Sequence, residues 1–252
     1  MQERGVVAMK RAYADLHLCL NVKDAAGMLR MVNKAATLGY RLVAVPVAAE
    51  ARVDEVAKLR EVCSEAGIDF ASRVDLRPRT PNELMRQLRR LRRKFEVICV
   101  NCENKAVARQ AAKDRRVDLL NFPLLDFHRR FFDRAEAELA RNGLAALEID
   151  VRPLLVLEGP ERVRLLSSLQ REVAIAGEFH VPIVVSSGVA RELLLRKPRE
   201  MAALAFLFGL DEASALEAVS ESAWAIVGRN RGKLSAKFVA PGIRVVREGK
   251  DC

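Results

Sequence analysis

The sequence predicts an α/β fold, a TIM-type (β/α) barrel with some distortion, and an open doubly wound sheet as the alternative. Three observations carry this. Short apolar runs rich in Val, Ile and Leu alternate with amphipathic stretches along the chain. The runs lack strict polar/apolar alternation, as parallel strands covered on both faces do. No Gly/Ser/Pro-rich linker divides the 252 residues, a length that suits one barrel spanning 1–252.

Taken in order, strands are expected at 13–18, 41–47, 68–74, 96–101, 119–122, 145–149 and 183–186. Helices are expected between them at 25–38, 54–66, 81–93, 105–114, 134–141 and 161–178. Gly39, Gly67 and Gly143 stand where a left-handed cap would end a helix. The helix at 81–93 is the most fully signalled. Thr80 is placed to cap it, Pro81 suits its first position, and Glu83 completes a Thr-x-x-Glu capping box. After Ser187 no eighth strand is visible. That region reads as helices at 198–207 and 212–226, then an extended tail from about 236, with a turn at Pro241-Gly242.

No apolar run reaches the roughly 18 residues of a membrane span, and MQERGVVAMKRAY has no apolar signal core. The expected compartment is the cytoplasm. Five scattered cysteines, an odd number, argue against a disulfide framework. Cys99 and Cys102 form a lone CxxC on a strand, where residues three apart face opposite ways. No second pair completes a zinc site.

Lys plus Arg exceeds Asp plus Glu by 43 to 33, and 32 of the 43 are arginine, the residue that forks onto phosphate. Their placement is informative. In TPNELMRQLRRLRRKFEV, Leu84, Leu88, Leu91 and Phe95 share one helical stripe. Arg86, Arg89, Arg90 and Arg93 lie opposite, and Arg92 flanks the stripe. Like charges at these spacings repel, which a polyanion would offset. Further clusters are Arg73, Arg77 and Arg79; Lys113, Arg115 and Arg116; His128 among Arg129, Arg130 and Arg134; Arg162 and Arg164; Arg191, Arg196, Lys197 and Arg199; and Arg229, Arg231 and Lys233. They recur in loops along the chain. With only 5% aromatic residues, contacts to the phosphates and 2′-hydroxyls of structured RNA fit better than stacking on single strands.

Two catalytic alternatives arise. In YADLHLCLN, Asp15 and His17 could share a face with Asp75, Glu148 or Asp150, either as metal ligands or as a buried polar network. The strand resembles the opening of polymerase and histidinol phosphatase (PHP) enzymes, which usually carry His-x-His. Three histidines in the whole chain are too few for a multi-histidine site. In SSGVAR, the backbone N–H groups of Ser186, Ser187 and Gly188 could cradle a phosphate ahead of a helix. GxGxxG, Walker A, HExxH and GxSxG are all missing from the sequence.

The chain also resembles the archaeal and eukaryotic ribonuclease P protein component 3 family. The matching stretches are ADLHL, SRVDLRP, KDRRVDLLNFP, LEIDVRPLL, VPIVVSSG, KPREMAAL and PGIRVV. Val189 stands where the family often has alanine. The resemblance implies a PHP-like barrel without the metal-binding histidines and without a cofactor. It implies a protein that supports the catalytic RNA in removing the 5′ leader of precursor tRNA, beside component 2 and other ribonuclease P proteins. It marks Arg73, Arg115, Arg116, Arg152 (in a strand) and Arg199 as RNA-contacting. The alternative reading is a metal-dependent PHP-type phosphoesterase using Asp15 and His17.

Overall fold

Seven strands pair in parallel and in chain order: β1 (Tyr13–Asp15), β2 (Tyr40–Pro46), β3 (Asp69–Leu76), β4 (Val97–Asn101), β5 (Leu119–Asn121), β6 (Ala146–Asp150) and β7 (Ile183–Ser186). This is a computed structural model, and it describes residues 11–123, 130, 132–240 and 243–245. Helices α1 (Ala25–Leu38), α2 (Val53–Glu65), α3 (Pro81–Leu91), α4 (Lys105–Lys113), α5 (Arg134–Gly143), α6 (Arg152–Val156) and α7 (Gly159–Glu178) lie between strands. Helices α8 (Pro198–Ala205), α9 (Glu212–Ala218) and α10 (Glu221–Leu234) follow β7.

The sheet curls into a nearly closed barrel with a short seam between β1 and β7. The first strand is shorter than expected because the chain bends at Leu16. It returns at Leu18 to bridge Val189, and Cys19 N donates to Val189 O at 3.0 Å. No eighth strand is needed to close the circle.

Strand alternation sorts side chains between two cores. Ala14, Leu42, Ala44, Ala71, Val97, Cys99, Leu119, Ala146 and Val184 fill the interior. Their neighbours, such as Val74, Ile98, Val100, Leu120 and Leu147, pack outward against the helices. Cys99 and Cys102 fall into different cores, as residues three apart on a strand should. The floor of the barrel, at the N-terminal strand ends, is plugged by α10. Its Ala223, Ile226 and Val227 join the interior cluster. Asn230 Nδ2 donates to Glu96 O at 2.7 Å just before β4.

The expected stripe of α3 is buried as read: Leu84, Leu88 and Leu91 are at most 1% exposed. Thr80 Oγ1 accepts from Glu83 N at 3.2 Å, but Glu83 reaches back to Arg79 N, not Thr80 N. Truncating Leu88 to alanine is expected to cost about 2–5 kcal/mol in a denaturant titration, because the helix sits on a packed core that cannot collapse around the void.

Two expectations change, and the extended tail is refined. Gly143 is not a left-handed cap: it ends α5 in close approach to α4, where a Cβ would meet Ala112 O at 2.1 Å. The left-handed residue is Leu144, at φ 71°. The helix expected at 212–226 is two helices, α9 and α10, broken at Val219–Ser220, where Val219 O accepts from Ala14 N at 3.0 Å and ties the turn to β1. The tail forms a short antiparallel hairpin, β8 (Phe238–Ala240) with β9 (Ile243–Arg244). The Pro241-Gly242 turn itself lies outside the described residues.

Candidate nucleic-acid interface and a filled barrel mouth

At the C-terminal end of the barrel, where (β/α) barrels keep their chemistry, the interior turns from apolar to charged. Alternation on β3 aims Ala71, then Arg73, then Asp75 inward. Arg73 is 0% exposed. Its Nη1 and Nη2 donate to Glu148 Oε1 and Oε2 at 2.6 and 2.7 Å. Nη1 also donates to Leu16 O at 2.6 Å, and Nε to Asp75 Oδ1 at 2.6 Å. Glu148, from β6, accepts three more bonds, from Ser186 Oγ at 2.8 Å, Asn121 Nδ2 at 3.0 Å and the Cys99 thiol at 3.5 Å. The network extends to His17, whose Nδ1 lies 2.8 Å from Asp150 Oδ1 and whose Nε2 lies 3.5 Å from Asp75 Oδ2. The polar network considered for Asp15 and His17 is thus present, with Arg73 at its centre.

The electrostatics follow from burial and the guanidinium. Burial pushes the Glu148 carboxyl up, but the Arg73 charge and hydrogen bond outweigh it and hold it down at about 2. Burial and the Arg73 charge pull His17 down, yet the Asp150 carboxylate lifts the imidazole well above its ordinary value. Burial raises the Asp15 carboxyl, although Ser187 and His17 N–H groups donate to it.

Among the described residues, His17, Glu148 and Asp150 offer ligand atoms within 4.8 Å of one another. They do not fit a resident divalent ion. Both Glu148 oxygens are forked onto Arg73, the Asp150 oxygens are engaged by His17 and Asn121, and the guanidinium already supplies a cation there. Asp15 stands outside that group: its Oδ1 accepts from the backbone N–H groups of His17 and Ser187, and its Oδ2 is buried without a hydrogen-bond partner.

The phosphate cradle read at Ser186, Ser187 and Gly188 is also spent internally. Ser187 N donates to Asp15 Oδ1 at 2.9 Å and Gly188 N to His17 O at 2.9 Å, while Ser186 Oγ serves Glu148. These bonds staple the β1–β7 seam. Gly188 sits at φ +63°, against Asp150, where a Cβ would clash at 2.8 Å. A single 3₁₀ turn, Glu192–Leu194, follows in place of a helix.

The basic residues divide into spent and available. Arg73 is an internal strut, which corrects its expected role on the surface. Arg92 turns inward as well. Its guanidinium donates to Asp118 Oδ2 at 2.5 Å, Phe95 O at 2.6 Å and Arg116 O at 3.0 Å. Arg130 is buried on Glu172. Arg152 does not continue β6; it opens α6, where Pro153 suits a first turn, and it is exposed. Exposed too are Arg86, Arg89, Arg90 and Arg93 along α3, with Arg115, Arg191, Lys197 and Arg199. Arg90 pairs with Glu50 at 2.9 Å. Arg116 is half-buried and paired with Asp114 at 2.7 Å. Arg196 is half-buried, its Nη1 donating to Leu193 and Leu195 carbonyls. Lys197 and Arg199 join Arg11, Arg41 and Tyr13 around a cleft of about 330 Å³. His128 and Arg129 lie outside the described residues.

Sequence reading missed two residues that organise these charges. Asn121 bridges Glu148 and Asp150, and Asp118 gathers Arg92, Arg229 and Asn230. Their signal was a polar residue at the start or end of an apolar strand. No described helix is long and apolar enough to cross a membrane.

Comparison with known proteins gives a consistent set of likenesses. A family model described as RNase P subunit p30 matches residues 12–235. Ribonuclease P protein component 3 of Methanosarcina acetivorans is 34% identical over 185 residues, covering 73% of this chain and 76% of that protein. The protein of the same description from Natronomonas pharaonis is 29% identical over 225 residues, covering 88% and 91%. Among solved structures, a chain from a cryo-EM structure of archaeal ribonuclease P with mature tRNA has a TM-score of 0.81 at 20% identity, covering 94% of this chain and 100% of that one. A putative prolidase from Bifidobacterium longum follows at 0.54 and 14% identity, covering 87% and 70%.

Proposed function

This chain belongs to the RNase P subunit p30 family, and from that membership we propose that it is a protein subunit of ribonuclease P that binds the catalytic RNA and leaves bond cleavage to it. The RNA in turn removes the 5′ leader from precursor tRNA. The observation that carries the non-catalytic reading is the filled mouth. A barrel hydrolase needs an open position there for substrate and a metal or general base. This barrel places a fully buried guanidinium locked on Glu148.

RNA contact is assigned to the exposed cations. The α3 face is held rigid by its buried leucines and shows Arg86, Arg89 and Arg93 to solvent. Phosphate contacts of this kind set affinity and its salt dependence. Ribonuclease P protein component 2 and other ribonuclease P proteins are the expected protein partners.

Two measurements test this. Precursor-tRNA cleavage is reconstituted from the RNA and partner proteins with and without this chain. The chain alone should cleave nothing, and its addition should raise the rate or lower the magnesium the RNA requires. In the same system, Arg89→Ala/Arg90→Ala/Arg93→Ala should weaken RNA binding several-fold with an unchanged Tm. Cleavage by the purified chain without RNA, abolished by a chelator, would overturn the reading in favour of a phosphoesterase.

A further inference from the structure

We propose that the floor of the barrel, opposite the mouth, is a second docking face for structured RNA, centred on Arg115 and Lys233 and held in shape by the buried carboxylate of Asp118. The inference rests on the RNA-binding reading above and deepens it by naming a face.

Asp118 precedes β5 and is 0% exposed. Its Oδ2 accepts from Ile98 N at 2.8 Å and Arg92 Nη1 at 2.5 Å. Its Oδ1 accepts from Arg229 Nη2 at 2.9 Å and Asn230 Nδ2 at 2.8 Å. One carboxylate thus pins two arginines, one just past α3 and one on α10, in fixed positions. Arg116 is fixed beside them by Asp114. Arg115 and Lys233 are exposed, and among the described residues neither is paired with a carboxylate.

The local count is five cations, Arg92, Arg115, Arg116, Arg229 and Lys233, against the carboxylates of Asp114 and Asp118. That leaves a surplus of three. The C-terminal ends of α3, α4 and α10 point this way, but each helix end contributes only about half a negative charge, so the dipoles absorb about half the surplus. The repulsion registers on Lys233: burial, then the charges of Arg229, Arg92 and Arg115, pull its ammonium below its ordinary value against the opposite pull of Asp118. Two exposed cations, Arg115 and Lys233, set over a rigid layer of carboxylate-paired guanidinium groups match a phosphate backbone held in a fixed shape. The exposed Arg93 follows Arg92 directly and links this layer to the exposed arginines of α3.

The test uses the full-length chain and ribonuclease P RNA, titrated across a potassium chloride series with and without the other protein subunits. Arg115→Glu/Lys233→Glu is compared with Arg30→Glu/Lys58→Glu on α1 and α2, which removes the same net charge outside the floor cluster. Both pairs are exposed, so both variants should keep the wild-type Tm. The floor variant should lose about tenfold or more in RNA affinity near 0.1 M salt, and its log–log salt slope should become shallower by about 1–2 units, about one per lost phosphate contact. The control should change far less, and Arg115→Lys/Lys233→Arg should bind as wild type. Equal losses from the floor and control pairs would overturn the proposal in favour of diffuse attraction. Normal RNA binding with loss of a protein subunit would overturn it in favour of an acidic protein partner. Wild-type chain that fails to bind RNA at all would overturn the functional reading along with it.

Discussion

Replacing Arg73 by methionine is expected to destabilise the fold by about 3–5 kcal/mol, the cost of stranding a buried charge. That is a large share of the 5–15 kcal/mol that typically holds a domain together. The side chain is 0% exposed and satisfies both Glu148 oxygens, Asp75 and the Leu16 carbonyl. Without it, Glu148 and Asp75 share the mouth with His17 as the remaining interior cation among the described residues. Arg73→Lys should recover only part of the loss, because an ammonium cannot fork onto two oxygens. The double variant Arg73→Met/Glu148→Leu should be markedly more stable than Arg73→Met, since removing both charges removes the stranded one. Urea unfolding of the four proteins reads this directly. Wild-type stability in Arg73→Met would show that the network does not hold the barrel together.

The same pair sets how the fold responds to acid. Glu148 titrates at 4.5 when unfolded and at about 2 when folded. A depressed folded value means stability that is complete above about pH 4.5 and is lost as pH falls through that range toward 2. The shift corresponds to about 3 kcal/mol from this one carboxyl. His17 has the opposite sign. Its folded value is raised, so its contribution is complete below the ordinary imidazole value and is lost as pH rises through the raised one. Urea midpoints should therefore fall steeply below pH 4.5 in the wild type. In Arg73→Met the acid limb should shrink by the Glu148 share, because burial would then raise Glu148 and favour its protonated form, while Asp114 and Asp133, also held low, keep theirs. The two stability curves should converge as pH approaches 2; a constant gap across the range would contradict the assignment.

Most of the architecture was legible because period and caps are local. The α3 stripe needed only spacing, and Gly39 and Gly67 needed only their places at helix ends. What was not legible depended on partners distant in sequence. Arg73 sits in SRVDLRP beside Arg77 and Arg79 and reads as one of a surface cluster. Its burial is decided by Glu148, 75 residues away. The available hint was chemical: Asp75, Glu148 and Asp150 all end inward-facing strands, and such a group needs an interior cation. Arg92 was placed correctly at the flank of the stripe, but its direction is set by Asp118, 26 residues on. Gly143 was misread because contact with α4, not backbone conformation, excludes a side chain there. Arg152 was assigned to a strand although Pro153 beside it marks the first turn of a helix.

The plugging of the barrel by α10 bears on how the protein is made. Ala223, Ile226 and Val227 complete an interior whose other walls come from strands made much earlier. During synthesis the sheet can assemble strand by strand, yet its lower end stays wet until residue 227 and the turn beyond have cleared the ribosome tunnel. A nascent chain stalled before α10 would present the apolar lower end of the tube to solvent, a natural ligand for chaperones.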